Sequence, residues 1–460
     1  MRPRFADLAD RLDGLYEFDR EPVAEAKLQP WTKFAGMFAG EHVAATEFVI
    51  GAFFVLHGVT VRDLLLGLVL GNLLAVLSWT FVCAPIAVRT RLTLYWYVRK
   101  IAGPGIMVVY NAANAVLYCI LAGAMIAVSA TAVGLAFFIP TPRLTDVFPT
   151  SVAWVLIVFV LGTLFTLLAI LGFEKLSRFA QISSPWIFAV FIAGAVASFP
   201  KLGVSPDLSN LALVARTKIW DGIAAVGQEK FGFWHILFFA WFCNLAMHIG
   251  LSDMAVFRFA KRWTYGFLSA FGMFPGHLLA WLASGVIVAA IGRELNPCLM
   301  AFGAAGYAGV GALLVAGWTT ANPTLYRAGL ALQSITPNWP RWKTTLAAGA
   351  ATTVLACFPV VFMKLLDYVA LYGLVLMPVG AIVFAEHWIF PRLGLETYRA
   401  EKRGWVVNPA VLAVWAGTLI VVFLLPLHLY FKWLPGYALA LVSYTGLAAL
   451  DRRKPAGERR

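Results

Sequence analysis

The sequence predicts an all-α polytopic membrane protein with about twelve transmembrane helices. Three observations carry that prediction. The 460-residue chain is 61% hydrophobic and only 13% charged, where a soluble domain carries about a quarter charged residues. Apolar stretches near the roughly 20 residues needed to cross a bilayer recur along the whole length. Basic residues gather in alternate connections between those stretches.

The apolar windows fall near residues 34–57, 63–86, 104–138, 150–172, 177–199, 233–257, 264–292, 300–335, 344–362, 368–388, 408–427 and 430–450. Two of them, 104–138 and 300–335, exceed one span, so each is expected to tilt or to run into an adjoining loop. The polar insert 200–232 has room for a short surface helix. Residues 1–33 are charged and mixed, unlike a secretory signal peptide. Their "RFADLADRLDGLYEF" suits an amphipathic surface helix or a solvated tail equally.

Charge sets the expected orientation. With the N-terminus cytoplasmic, 27 of the 36 Lys and Arg fall on the inner side, among them Arg258, Arg327, Arg341 and Arg399. Both termini are therefore expected inside, in the cytoplasmic (inner) membrane. The net charge of +13 needs no nucleic acid, because inner-side cations face anionic membrane lipid. The five cysteines, without CxxC pairing, read as small core residues.

Ionisable and polar residues inside apolar spans are costly, and they usually face a cavity or a partner. Span one, "KFAGMFAGEHVAATEFVIGAFF", carries Glu41, His42 and Glu47. Span three sets Asn111, Asn114 and Tyr118 on one face. Span six sets Trp241, Asn244 and His248 on one face, followed by Gly250, Ser252 and Asp253. Span eight, "AGWTTANPTLYRAGLALQSITP", carries Trp318, Thr319, Thr320, Asn322 and Pro323. Spans one and six open two five-helix halves, and three and eight are the third of each. Inverted repeats with broken first helices are a transporter design.

On these residues the sequence resembles the nucleobase–cation symporter family. "WTTANPTLYRAGLALQSIT" is similar to the Trp-Thr-Thr-Asn, Leu-Tyr-Ala-Ser-Gly-Leu and Ile-Thr of its cytosine permeases. "VTVRDLLLGLVLGNLL" in span two, "VFRFAK" after span six and "MPVGAIVFAEHW" in span ten match further family patterns, the last with Ala385, Glu386 and His387. The resemblance covers roughly residues 34 to 395.

It implies a LeuT-type fold: a 5+5 inverted repeat with helices 1 and 6 broken, plus two C-terminal helices. The organisation becomes a cytoplasmic tail 1–33, a first repeat 34–199, an outer connection 200–232 and a second repeat 233–390. A cytoplasmic loop 391–407, two helices within 408–450 and a basic tail 451–460 complete it. The resemblance also implies sodium as coupling ion, held by side-chain oxygens of Thr319 and Thr320 and by carbonyls of Ala316, Gly40 and Val43. A one-residue shift gives Glu41 and Ala44 as the alternative carbonyl donors. Back-bonding to their own carbonyls is what the Thr pair would otherwise do.

The substrate site is expected from Glu47, Asn114, Tyr118, Asn244, His248, Trp318 and Asn322, with Glu41, His42 and Asp253 as coupling or proton candidates. Where cytosine permeases place a polar residue on span three stands Ala115, and the Asn directly after the Thr pair is replaced by Ala321. Cytosine is therefore not the expected substrate. The acidic residues suit a cationic or protonatable one, or proton coupling. The expected function is cation-coupled symport of a nucleobase-like or related small nitrogenous heterocycle by alternating access. The alternative is a proton- or sodium-coupled carrier of a cationic amine, vitamin precursor or amino acid; a transporter-like nutrient sensor stands behind both. No HExxH, paired acidic motif or nucleophile with its base marks an enzyme. Neither an organic cofactor nor an obligate protein partner is expected.

Overall fold

The computed structural model describes residues 11–245, 250–292, 296–336 and 338–453, and of residues 243–245 the backbone only. Among the described residues the chain is helical, with only the isolated bridges Gln29–Ala260, His57–Ala224 and Thr60–Asp221. In chain order the helices are α1 (Trp31–Glu41), α2 (Glu47–Leu56), α3 (Val61–Thr90), α4 (Leu94–Ala102), α5 (Pro104–Ala136), α6 (Val152–Ile170) and α7 (Phe173–Leu202). There follow α8 (Phe233–Leu245), α9 (Trp263–Ile291), α10 (Pro297–Ile335), α11 (Arg341–Ala356), α12 (Leu365–Leu393), α13 (Pro409–Leu424) and α14 (Leu429–Arg453). Eight of these are long and apolar enough to cross a membrane, and α2, α8 and α13 are shorter apolar helices.

The windows and the helices correspond, with informative departures. The first window is two helices, interrupted over residues 42–46. The sixth is α8, then a tight turn Leu251–Asp253 entered through Gly250 at φ 75°, then Met254–Phe257. The long third window is one unbroken helix of 33 residues. At 1.5 Å per residue it is about 50 Å long and must tilt in a core of about 30 Å. The long eighth window is instead divided, by non-helical backbone at Ala305 and Gly306. The insert 200–232 does hold a short helix, Leu211–Val214, continued by a wider turn to Ile219.

Two packed groups emerge. In one, α5 and α10 form the most extensive helix pair, joined by α6 and α11. In the other, α3 packs on α8 and α2 on α9. Helix α7 touches both through α1, α9 and α10, while α13 and α14 pack together beside α12.

The segment before α1 straps the ends of several helices. Phe18 O accepts from Arg258 (2.6 Å), Leu15 O from Arg341 (3.0 Å) and Gln29 N donates to Phe259 O (2.8 Å). Buried Asp19 lies 3.8 Å from Arg341 and 4.0 Å from Arg258; its burial pushes the carboxyl up, against the pull of those guanidiniums. Of the cations expected to face inner-side lipid, Arg258, Arg327, Arg341 and Arg399 do not: all four are at least 95% buried. Each is held by carboxylates or carbonyls, which is the condition for burying a guanidinium.

Candidate binding site at the broken helices

Nothing in His42-Val43-Ala44-Ala45-Thr46 forbids a helix locally; neighbouring elements decide the break. The end of α1 seats on α9 where Gly272 and Gly276 leave room. A methyl at Gly272 would stand 2.8 Å from His42 Nδ1 and Phe38 O, and one at Gly276 would stand 2.7 Å from His42 O. Small residues four apart allow such close approach between membrane helices. Gly40 faces α7 in the same way, a methyl there lying 2.6 Å from Ala180 Cβ. The carbonyl of Glu41 is left outside the helical ladder, and Thr320 Oγ1 donates to it at 3.1 Å.

That contact joins a set of oxygens. Thr320 Oγ1 also lies 3.1 Å from Ala316 O, and so does Thr319 Oγ1. Thr319, Thr320, Ala316 and the Glu41 carbonyl are thus one cluster between α10 and the break. Of the span-one carbonyls the sequence offers, that of Glu41 is the one a Thr320 hydroxyl reaches, while the Ala44 carbonyl accepts from Glu47 N at 3.1 Å. The donor set is wholly hard oxygen, as a small hard cation requires.

Beside the cluster lies a cavity of about 150 Å³, lined from the α1–α2 break, α3, α5, the segment 250–253, α9, α10 and α12. Its polar wall centres on Arg327. The guanidinium pairs with Glu41 through both nitrogens, the longer contact at 3.0 Å, and with Asp253 Oδ1. Asp253 Oδ2 accepts from Trp79 Nε1 at 2.6 Å. One cation therefore ties α10 to both broken spans. Opposite, Glu47 accepts from Trp281 Nε1 and, at 3.1 Å, from Thr46 Oγ1, with His277 Nε2 3.7 Å away. His277 stacks on Trp281 (4.5 Å, 15°) and meets His42 edge-on at 4.9 Å. Tyr118, from α5, accepts from Tyr95 at 2.9 Å. Ile50, Leu121, Met125, Leu365, Leu366 and Val369 supply apolar surface.

Of the expected site residues, Glu41, His42, Glu47, Tyr118, Asp253 and Thr320 meet at this cavity, and Ala44 with them. Trp318, Asn322 and Asn114 do not line it. Trp318 stacks on Phe165 (5.0 Å, 13°) and touches Phe179 (5.1 Å), facing α6 and α7. Asn114 turns its amide to Tyr110 O at 2.7 Å, and Asn322 is buried with its amide atoms unpaired. The reason is helical phase: Thr320, Thr324 and Arg327 share the cavity face at i, i+4, i+7, whereas 318 and 322 lie about 200° round from 320. His248 and the Asn244 side chain lie outside the described residues.

Sequence reasoning missed Arg327, His277, Trp79 and Trp281. The Thr320–Thr324–Arg327 stripe was readable by spacing. The two tryptophans, buried among many aromatics, had no distinguishing pattern. The span-ten motif lies elsewhere: Glu386 accepts from Tyr444 OH (2.7 Å) and Tyr398 N (2.9 Å), clasping α12 to α14 and the loop between.

No family model matches this sequence, and no curated protein does. Solved structures do match over nearly the whole chain. Mhp1, a nucleobase-cation-symport-1 family transporter in a closed conformation with bromovinylhydantoin bound, aligns with TM-score 0.73 at 17% identity, covering 96% of this chain and 97% of that one. Its inward-facing conformation aligns at 0.70 and 16%, covering 94% of each chain. A Na+-coupled sialic acid symporter, substrate-bound and outward-open, aligns at 0.65 and 12%, covering 97% of this chain and 96% of that one. At these identities the likeness establishes the fold. It is the LeuT-type fold of these symporters, the fold that the family resemblance implies.

Proposed function

We propose that this chain is a secondary active transporter that couples sodium to the symport of a small nitrogenous heterocycle by alternating access. It would sit in the cytoplasmic membrane with both termini inside. The observation that carries the reading is the oxygen cluster: Thr319 Oγ1, Thr320 Oγ1 and Ala316 O on α10, facing the Glu41 carbonyl across the helix break. These atoms would hold the ion once the hydroxyl protons rotate away, with Ala44, beside the break, offering a further carbonyl. The structural neighbours include a Na+-coupled symporter, which supports the choice of ion.

Coupling follows from where the cluster stands. It joins α10, of one packed group, to the broken span one of the other, and the cavity opens along the same seam. An ion and a ligand that both bridge the seam stabilise the same closed arrangement, and each then raises the other's affinity equally. A broken helix in a membrane is tolerable where its freed backbone lines such a cavity.

Two variants separate ion from substrate. Thr320→Ala removes a ligand of the cluster and should raise the sodium concentration for half-maximal thermal stabilisation at least tenfold, about 1.4 kcal/mol. An unchanged sodium midpoint in that variant contradicts the site. Tyr118→Ala strips an aromatic face from the cavity and should weaken heterocycle binding about tenfold. Its sodium midpoint should stay within about twofold of the parent's; titrations of both ligands on the purified protein read the two effects apart.

A further inference from the structure

We infer that the substrate is a monocation and that Glu47 is its counter-charge; this rests on the symporter reading above. The three cavity carboxylates are of two kinds. Glu41 and Asp253 share Arg327. Glu47 is 2% exposed, and among the described residues its partners are Trp281 Nε1, Thr46 Oγ1, the backbone of Ala44 and the His277 ring at 3.7 Å, with no lysine or arginine. His277 in turn faces His42, a second imidazole. An ionised carboxylate held only by neutral donors is costly to bury. A cation arriving in the cavity removes that cost.

The surroundings narrow the cation to a class. Trp281 occupies one position on Oε2 and Thr46 one on Oε1. The Ala44 backbone takes a third. A carboxylate has about four acceptor positions, so one remains for an N–H donor of the ligand, a charge-assisted bond. The cavity of about 150 Å³ has the room of a single ring, since a protein cavity of about that volume binds benzene. Trp79, Tyr118 and His277 contribute aromatic rings to its lining, which favour a flat, delocalised cation. Arg327 repels such a cation from the Glu41 end and leaves the Glu47 end to it. The class is therefore a monocyclic nitrogen heterocycle carrying a delocalised positive charge with at least one N–H to give. Together with sodium, each cycle moves two positive charges.

The test compares 2-aminoimidazole and 2-aminopyridine, which form such delocalised N–H cations, with the neutral imides hydantoin and uracil. Affinities are measured by calorimetry in sodium and in potassium buffer, and charge moved per substrate is measured in proteoliposomes. The inference predicts that the amine-bearing rings bind in sodium and move about two charges each. Glu47→Gln should weaken them at least tenfold and Glu47→Asp less, while both variants keep the parent's sodium-induced stabilisation, which shows them folded. Binding of the imides in preference to the amine-bearing rings, or equal binding to Glu47→Gln, overturns the inference and makes Glu47 a carrier of its own proton; the symporter reading then stands. If no ring of either kind binds better in sodium than in potassium, the symporter reading fails and takes the inference with it.

Discussion

Arg327→Met should unfold or severely destabilise the protein and abolish transport. The side chain it removes is 95% buried and holds Glu41 and Asp253 at once. Removing one partner of a buried ion pair leaves uncompensated charge and costs about 3–5 kcal/mol; here two carboxylates are left. Arg327→Lys should rescue little, because one ammonium cannot reproduce a planar fork that spans two acids. Combining Arg327→Met with Glu41→Gln and Asp253→Asn should restore much of the stability, since no charge is then left without a partner. Thermal unfolding in detergent checks the series. A single Arg327→Met variant as stable as the parent contradicts the triad.

The second large effect is expected at Gly51. Helix α2 lies so close to α9 that a methyl at Gly51 would stand 2.0 Å from Ser284 Oγ and 2.0 Å from the Trp281 carbonyl oxygen. The backbone of one helix must move, so Gly51→Ala should cost at least the 1–3 kcal/mol typical of overpacking (about that order). The displacement also separates Glu47, at the start of α2, from Trp281 on α9, so ligand affinity should fall with stability. Gly417→Ala is the matched control: a methyl there meets nothing within 4 Å, and its effect should stay within about 0.5 kcal/mol. Equal unfolding temperatures for the two variants rule out the close α2–α9 contact.

How much of this was legible beforehand depended on the kind of information. Helices were legible because twenty apolar residues cross a bilayer in only one economical way. The break in span one was legible as an anomaly, Glu41, His42 and Glu47 in an apolar run, though not as a position, because tertiary contacts with Gly272, Gly276 and Thr320 set its ends. Arg327 was misplaced for a physical reason. Near the end of an apolar window a lone arginine looks like an inner-side anchor, and only the fold reveals that two acids from other spans meet it. Trp318 and Asn322 misled because they flank the threonines in sequence while pointing to the far side of the helix. Conversely Glu386, conspicuous in span ten, serves a clasp beside Tyr444 rather than the cavity, and His387 beside it meets Trp388 edge-on.

In the proposed transport cycle a sodium gradient drives uptake of a small heterocycle through the cavity between the two packed groups. The most direct measurement is uptake of a radiolabelled ring that binds, into proteoliposomes with an inward sodium gradient, beside vesicles with matched potassium and with the gradient collapsed. The account predicts accumulation above the external concentration under the gradient alone, lost in Thr320→Ala. Equal uptake in sodium and potassium, or simple equilibration with the gradient intact, contradicts it.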